Sequence, residues 1–450
     1  MLDTITVVAT KTEEKAIDTL APVSIINQSV LQTIDPKRLQ DIVYRTPGVT
    51  FQDRGDSPES SINIRGLQDF GRVAVVVDGA RQNYQRSGHG AQGSFFLEPE
   101  LLSSVDIVRG PTANIYGSGA IGGVASFRTK DVNDVLRPGE KYGMDLGTSV
   151  GSNSSRALGS AFAALRAGPN VDFISGGTLR TQGDYKDGDG VLIQNTSNHV
   201  GSALSKLTVR PWEGHEFKFG GIFQQDQYNT GQYNRGPTRT TAAPAAIQGT
   251  SVYRTEVNNY TTTAKWTYFK PEDKLFNWDA NVYWNRTDND QVKIYNNRIT
   301  AGGSPPFFPV PPCSLALPGN NISGCVGDTR GYLLDTVGFD VNNTSRLDFG
   351  DWRNAFTIGA DGFQDDVTTV DNGKGNSNIT TPGGVRTVSG GFFQWKANYS
   401  TWLEVISAVR YDHYQLESFS TESSGERFSP KVTVGITPFR GFTPYVSYAE

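Results

Sequence analysis

The sequence predicts a transmembrane β-barrel of antiparallel strands, preceded by a small α/β domain. Three observations carry that reading. The chain has 450 residues, 36% of them hydrophobic, and a mean hydropathy of −0.41. It contains no apolar run approaching the roughly 20 residues that a membrane-crossing helix needs. From about residue 142 onward, apolar and polar positions alternate weakly, as they do in strands with one face on lipid and the other on water. The connections between these strands alternate between short turns and long loops, the pattern of an outer-membrane barrel. The 50 glycines, 11% aromatic residues and two methionines fit the same class.

The N-terminal elements come first. Asp3-Thr4-Ile5-Thr6-Val7-Val8-Ala9-Thr10 reads as a short extended segment, and the charged residues after it give it nothing to pack on. Ser29 to Gln32 follows, and then a short helix with Asp35 as N-cap, Pro36 at its first position and Val43 near its end. Pro47-Gly48 stops that helix. Ile62 and Ile64, then Val73 to Val77, read as strands, the second apolar enough to be buried on both faces. Val105 to Thr129 combines two strand-like runs with glycines at 110, 117, 119, 122 and 123, so backbone must pass close to backbone there. Gly117 to Gly122 satisfies G-x-G-x-x-G. A dinucleotide site needs a helix after it, however, and Val124 to Arg128 reads as strand.

About thirteen strands are legible beyond residue 142. The clearest is Phe276 to Asn285, with Phe276, Trp278, Ala280, Val282 and Trp284 on one face and Asn277, Asp279, Asn281 and Asn285 on the other. Tyr283 alone breaks the polar set, and Trp at both ends of the apolar face is what girdles at two membrane interfaces give. Short turns are expected at 166–170, 211–214, 271–273, 350–351 and 438–441. Long loops are expected at 181–198, 229–258, 295–336, 367–385 and 418–427. An odd strand count leaves an open edge that lipid cannot satisfy, and Tyr448-Ala449-Glu450 ends in mid-strand. The expectation is that these residues are the N-terminal part of a longer protein. No secretory leader is legible, so either it has been removed or the chain is not exported.

Cys313 and Cys325 stand in a Pro/Gly-rich segment without a CxxC or a nearby His, which favours a loop disulfide over a metal site. The net charge of −5 argues against nucleic acid as partner. No Ser/His/Asp cluster or carboxylate pair suggests an enzyme, and no catalytic cofactor is implied.

With an α/β domain followed by a barrel in place, the chain resembles a TonB-dependent outer-membrane receptor over all 450 residues. DTITVVATK at the start is similar to the TonB box, a segment that a periplasmic partner captures by strand addition; Asp3, Thr4, Ile5, Thr6, Val7 and Val8 carry it. INIRG, VVVDGAR and VDIVRGP…YGSGAIGGV are similar to plug-domain signatures. The resemblance implies a 1–12 TonB-box segment, a plug at 13–137 and the N-terminal portion of a barrel at 138–450. The barrel type has about 22 strands with a plugged lumen, and it implies a Gram-negative outer membrane and contact with its lipid.

Within that family, Gly79 to Pro111 most resembles the haem/haemoglobin receptor branch. There a histidine of the apical plug loop, followed by a G-x-F…L-P-x-L pattern, is an axial haem ligand. His89 matches it, ahead of Gly93, Phe95, Phe96 and Leu97-Glu98-Pro99-Glu100-Leu101. Tyr84 is a further haem-contact candidate. The branch's FRAP and NPNL boxes are absent here, so its second histidine has no counterpart to name. Taken alone, His89 in its glycine-flanked loop also fits a solvated polar residue. Arg65 and Arg109 flank plug strands, and the expectation is that they face barrel-wall carboxylates. His199, His215 and His413 read as loop, periplasmic-turn and lipid-facing residues. The implied function is import of haem, free or taken from a host haem protein such as haemoglobin, with haem as cargo. A ferric-siderophore receptor is the first rival, and a passive pore or adhesin the second.

Overall fold

The computed structural model describes the chain apart from residues 1–4, 7–13, 17, 55–56, 69–70, 83, 87–91, 118–119, 232–249, 298–312, 315–323, 372–382 and 419–420. Among the described residues, no helix is long and apolar enough to cross a membrane.

The first domain holds β1 (Ile5–Thr6), β2 (Glu14–Lys15), β3 (Val23–Ile26), α1 (Gln28–Ile34), α2 (Leu39–Val43), β4 (Val49–Arg54), β5 (Ser57–Ile64) and β6 (Leu67–Gln68). It continues through β7 (Val73–Val77), β8 (Ala80–Arg81), β9 (Tyr84–Arg86), β10 (Gln92–Ser94), β11 (Leu102–Arg109), α3 (Ala113–Tyr116), β12 (Gly123–Thr129) and α4 (Val132–Val135). Five strands form its central sheet in the order β3-β11-β12-β7-β8, with β12 parallel to β7 and the other neighbours antiparallel. Val105, Ile107, Val75, Val77 and Phe127 bury one side of that sheet against Leu31, Leu39, Ile42 and Val43 of the two helices.

The expected helix ending at Val43 is present as α2, but it starts at Leu39 and Asp35 is not its cap. Asp35 instead ends α1 in the left-handed conformation (φ 47°), its N–H donating to the Leu31 carbonyl. The cap of α1 is Asn27, whose side chain accepts from the Val30 N–H, and α2 starts three residues after Pro36. A short polar residue tolerates the left-handed region nearly as well as it caps an N-terminus. The glycine-rich stretch behaves as its composition requires. At Gly123 (φ 139°) a Cβ would lie 2.0 Å from the Val108 carbonyl oxygen of the neighbouring strand.

The second part is one antiparallel sheet of thirteen strands in sequence order: β13 (Tyr142–Gly151), β14 (Arg156–Arg166), β15 (Val171–Gln182), β16 (Asn198–Val209), β17 (His215–Gly231), β18 (Thr250–Phe269), β19 (Asn277–Asn297), β22 (Thr329–Phe349), β23 (Trp352–Asp371), β24 (Gly384–Tyr399), β25 (Leu403–Ser418), β26 (Thr421–Ile436) and β27 (Tyr445–Ala449). The two short strands β20 (Cys313–Ser314) and β21 (Gly324–Cys325) pair with each other, between β19 and β22. Every expected short turn is present. The expected loop at 418–427 is overturned, because β25 and β26 pair up to Ser418 opposite Thr421. The sheet curves around the first domain: Lys37 reaches Ser149 on β13, and Leu20 lies against Gly435 on β26.

Along β19 the two faces separate as expected. Asn281, Tyr283 and Asn285 are buried against the enclosed domain, while Val282 is exposed on the outer face. Phe223, Tyr260 and Trp284 stack in a row across three strands on that outer face. A second aromatic group, Trp212, His215, Phe217, Trp266 and Tyr268, lies at the short-turn end. These are the two girdles of a membrane barrel.

Candidate functional site

β9 and β10 form a hairpin, with Tyr84 opposite Ser94 and Arg86 opposite Gln92. His89 belongs to the segment between them and lies outside the described residues; for Tyr84 only the backbone position is described. The residues after the hairpin are fixed from both sides. Phe95 pairs its backbone with Ser60 and packs its ring 5.6 Å from Phe127 and 6.2 Å from Phe51, inside the first domain's core. Its neighbour Phe96 points the other way, into Tyr228, Val257, Tyr332 and Leu334 of the barrel wall. Alternation along an extended chain sends the two rings to opposite sides, so the base of the hairpin is wedged between domain and wall. Tyr228 and Tyr332 lie near the long-connection ends of β17 and β22, which puts the hairpin at that end of the barrel.

Charge continues the wedge. Glu98 is 1% exposed and pairs with Arg180 of β15 at 3.0 Å. The Glu98 N–H donates to Gln224 Oε1 (2.7 Å), and Gln224 Nε2 donates to Asp226 Oδ2 (2.8 Å), both on β17. Burial pushes the Glu98 carboxyl above its ordinary range even though Arg180 and Arg156 pull it down.

Three further ion pairs join the domain to the wall. Asp78 meets Lys206 of β16 at 3.0 Å, Asp131 meets Lys218 of β17 at 2.5 Å, and Lys130 meets Asp145 of β13 at 3.1 Å. Asp78 and Gly79 (φ 48° and 87°) make the two-residue turn between β7 and β8, a conformation that Asp-Gly favours. Burial opposes ionisation of Asp78, but Lys206 and the Thr129 hydroxyl and N–H outweigh it and hold the carboxyl below its ordinary range. The same balance holds Asp131 low, with Lys218 as the main opponent of burial. None of these partners was singled out from the sequence. The available signal was a lone charge at an enclosed-face position of an alternating strand.

The expectation for Arg65 and Arg109 is corrected. Arg109 donates to the carbonyls of Pro22 (3.2 Å) and Pro47 (2.8 Å), and so staples the end of β11 to the segments entering β3 and β4. Arg65 is exposed, and its N–H donates to Gly48. Neither pairs with a barrel carboxylate among the described residues. Both are accessible to water, so neither needs a buried counter-ion.

Of the proposed TonB box, Ile5 and Thr6 are described, as β1 paired with Lys15 and Glu14 of β2; Asp3, Thr4, Val7 and Val8 lie outside the described residues. The backbones of Cys313 and Cys325 stand directly opposite each other in β20 and β21, and their side chains lie outside the described residues. His215 accepts from Trp266 Nε1 (3.1 Å) within the short-turn girdle, and His199 shares a hydrogen bond with Thr181 on the outer face. His413 is exposed on the outer face of β25.

Residues 15–124 match the family model described as the TonB-dependent receptor plug domain. A hemin receptor of Yersinia enterocolitica is 32% identical over 208 residues, covering 46% of this chain and 29% of that protein. The heme/hemopexin utilization protein C of Haemophilus influenzae is 26% identical over 470 residues, covering 98% of this chain and 62% of that protein. The chain therefore spans less than two thirds of either relative. Among solved structures, the Serratia marcescens hemophore receptor HasR, in complex with its hemophore HasA and heme, superposes with a TM-score of 0.79 at 23% identity, over 96% of this chain and 63% of that one. The alcaligin receptor FauA of Bordetella pertussis gives 0.69 at 14% identity, over 99% and 65%. The enclosed domain matches the plug of TonB-dependent receptors, and the curved sheet has the barrel fold of these solved outer-membrane receptors.

Proposed function

We propose that the protein is an energised import receptor that binds haem at the extracellular face and passes it to the periplasm. The haem arrives free or on a host haem protein such as haemoglobin. His89 offers a neutral imidazole to the iron, and Tyr84 lies at the start of the same hairpin. The observation that carries this reading is the wedged base of that hairpin. Phe95 in the plug core and Phe96 in the wall fix the base of the hairpin that brackets His89 in sequence, and relatives named for hemin and heme match the chain. Asp3 to Val8 serve as the handle for the TonB partner. The two-residue ladder between β1 and β2 is short enough to exchange for a partner strand. No bond in the cargo is made or broken.

The test is a haemin titration of the full-length receptor in detergent, wild type beside His89→Ala, followed by the Soret band. The expected result is saturable low-spin binding that weakens or changes spin state in the variant. Unchanged binding in the variant removes His89 from the site. No saturable binding in either protein favours a ferric siderophore as cargo.

A further inference from the structure

The plug is attached unevenly, and we infer from this where it opens: cargo crosses along the wall formed by β18, β19, β22 and β23, while the plug stays fastened to β13 through β17. This inference rests on the import reading and adds a route to it.

The fastened flank combines charge with apolar packing. Asp145, Arg180, Lys206 and Lys218, the wall partners of the four ion pairs described above, stand on β13, β15, β16 and β17. Phe162, Leu204 and Ile222 of β14, β16 and β17 belong to the plug's own hydrophobic core, and Ala164 and Ile174 pack on Val132 and Leu136. Parting the plug from this flank strands buried ions on both sides and opens a core.

The opposite wall is built differently. Its charges are paired within the barrel itself, in part with the adjoining strands: Lys265 of β18 with Asp279 of β19 (2.7 Å), Asp361 of β23 with Arg410 of β25 (2.7 Å), which also meets Asp412 (2.8 Å), and Asp365 of β23 with Arg386 of β24 (2.5 Å). Arg410 is fully buried yet already neutralised by two carboxylates, so movement of the plug leaves it compensated. The plug touches this wall through the Phe96 wedge on Val257, Tyr332 and Leu334, through Ala80 against Tyr283, Phe363 and Val388, through the Arg81 guanidinium 4.6 Å from the Phe363 ring, and through Gly117 beside Arg410. These contacts are apolar, cation–π or, through Gln82, hydrogen bonds between neutral groups (Gln82 Nε2 to Thr261 Oγ1, 3.3 Å; Asn285 Nδ2 to Gln82 Oε1, 3.0 Å), and they part without stranding a carboxylate.

A cavity of about 260 Å³ already lies in this seam, lined by Asp78, Gly79 and Arg81 of the plug and Asn281, Tyr283 and Asp340 of the wall, among others. Asn281 is 5% exposed, and neither atom of its amide has a hydrogen-bond partner. Buried amides are nearly always satisfied, so an unpartnered one lining this cavity marks a surface suited to water and to the polar groups of a passing ligand. The cavity is smaller than the roughly 300–1,000 Å³ typical of small-molecule sites, so passage requires the β7–β8 turn to draw away from β19. Gly79 is the contact point: a Cβ there would lie 2.7 Å from Asn281 Nδ2.

The test uses the full-length receptor in cells, with Cys313 and Cys325 replaced by Ser. One variant carries Gly79→Cys with Asn281→Cys, closed as a disulfide across the seam. The other carries Asp131→Cys with Lys218→Cys, closed by a short bifunctional thiol reagent across the fastened flank. The expected result is haem binding in both, loss of uptake in the first that reductant restores, and retained uptake in the second. Uptake through the bridged seam overturns the route, and so does loss of uptake in both, which requires the whole plug to leave. A second readout needs no haem. Labelling of Asn281→Cys by a hydrophilic thiol reagent should rise when the cells are energised, while labelling of Ile222→Cys should not; equal rises overturn the route. If the reduced receptor takes up no haem while this labelling difference persists, the cargo assignment fails and the route stands.

Discussion

Replacing Lys206 by Met removes the counter-ion of Asp78 while keeping the length and much of the volume of the side chain. Lys206 is 4% exposed, and its ammonium donates both to Asp78 (3.0 Å) and to the Thr129 carbonyl (3.0 Å). A charge pair at that distance attracts by about 5 kcal/mol at an effective dielectric of 20, and removing one partner of a buried pair costs about 3–5 kcal/mol. Asp78 keeps its hydrogen bonds from the Thr129 N–H and hydroxyl, which puts the expected cost at the lower end, about 3 kcal/mol. Read as hydrogen exchange of plug amides in the full-length receptor, that is roughly a hundredfold loss of protection, provided exchange proceeds through release of this flank. The double variant Asp78→Asn/Lys206→Met strands no charge and should recover most of the loss. The Asp78 carboxyl is held below its ordinary value of 3.8 when folded, so the stabilisation is complete above that value and disappears as the pH falls through the lower, folded one. In Lys206→Met burial is no longer opposed by the ammonium, so the difference from wild type should shrink on acidification as Asp78 of the variant protonates, and level off below the depressed wild-type value. A cost under about 1 kcal/mol, or a double variant no better than the single, refutes the view that this pair fastens the plug.

Gly123→Ala should abolish a folded plug, because the added methyl meets the Val108 carbonyl at 2.0 Å on a backbone with φ 139°; protease resistance of the plug reports it. Phe96→Ala should cost about 3–5 kcal/mol of local stability and weaken haem binding without changing the barrel's heat-modified migration on a gel, since it empties the anchor under the hairpin. Ile5→Pro should leave haem binding intact and abolish uptake, because proline cannot supply a strand N–H to the TonB partner; uptake equal to wild type argues for a passive pore.

The barrel was legible because a membrane imposes strict alternation. From Trp278 to Trp284 each residue meets either lipid or the enclosed domain, and even the exception, Tyr283, is explained by its place over Gly338, where a Cβ would lie 2.3 Å from its hydroxyl. Strand ends were read less well. Polar residues such as Thr329 to Gly331 look like loop, yet they extend a ladder whose neighbours already set its direction. Three of the four plug-to-wall pairs escaped notice because they join residues far apart in sequence, such as Asp78 with Lys206 or Asp131 with Lys218. Only the curved sheet brings them together. Arg109 was misjudged for the converse reason, since proximity to a plug strand says nothing about burial.

The outer girdle on β19 ends at Trp284, but the strand runs on to Asn297. At about 3.3 Å per residue and a tilt near 40°, the remainder rises roughly 30 Å past the lipid. Its neighbours β18, β22 and β23 have similar lengths, 20, 21 and 20 residues. On this side the wall forms a freestanding collar, with Glu256, Asp288, Asp290 and Asp335 in place of a greasy outer surface. A bulky carrier arriving from outside meets the rim of that collar first, at a distance from the bilayer. Under the proposed import reading, cargo reaches the hairpin as a small body, after parting from most of what brought it.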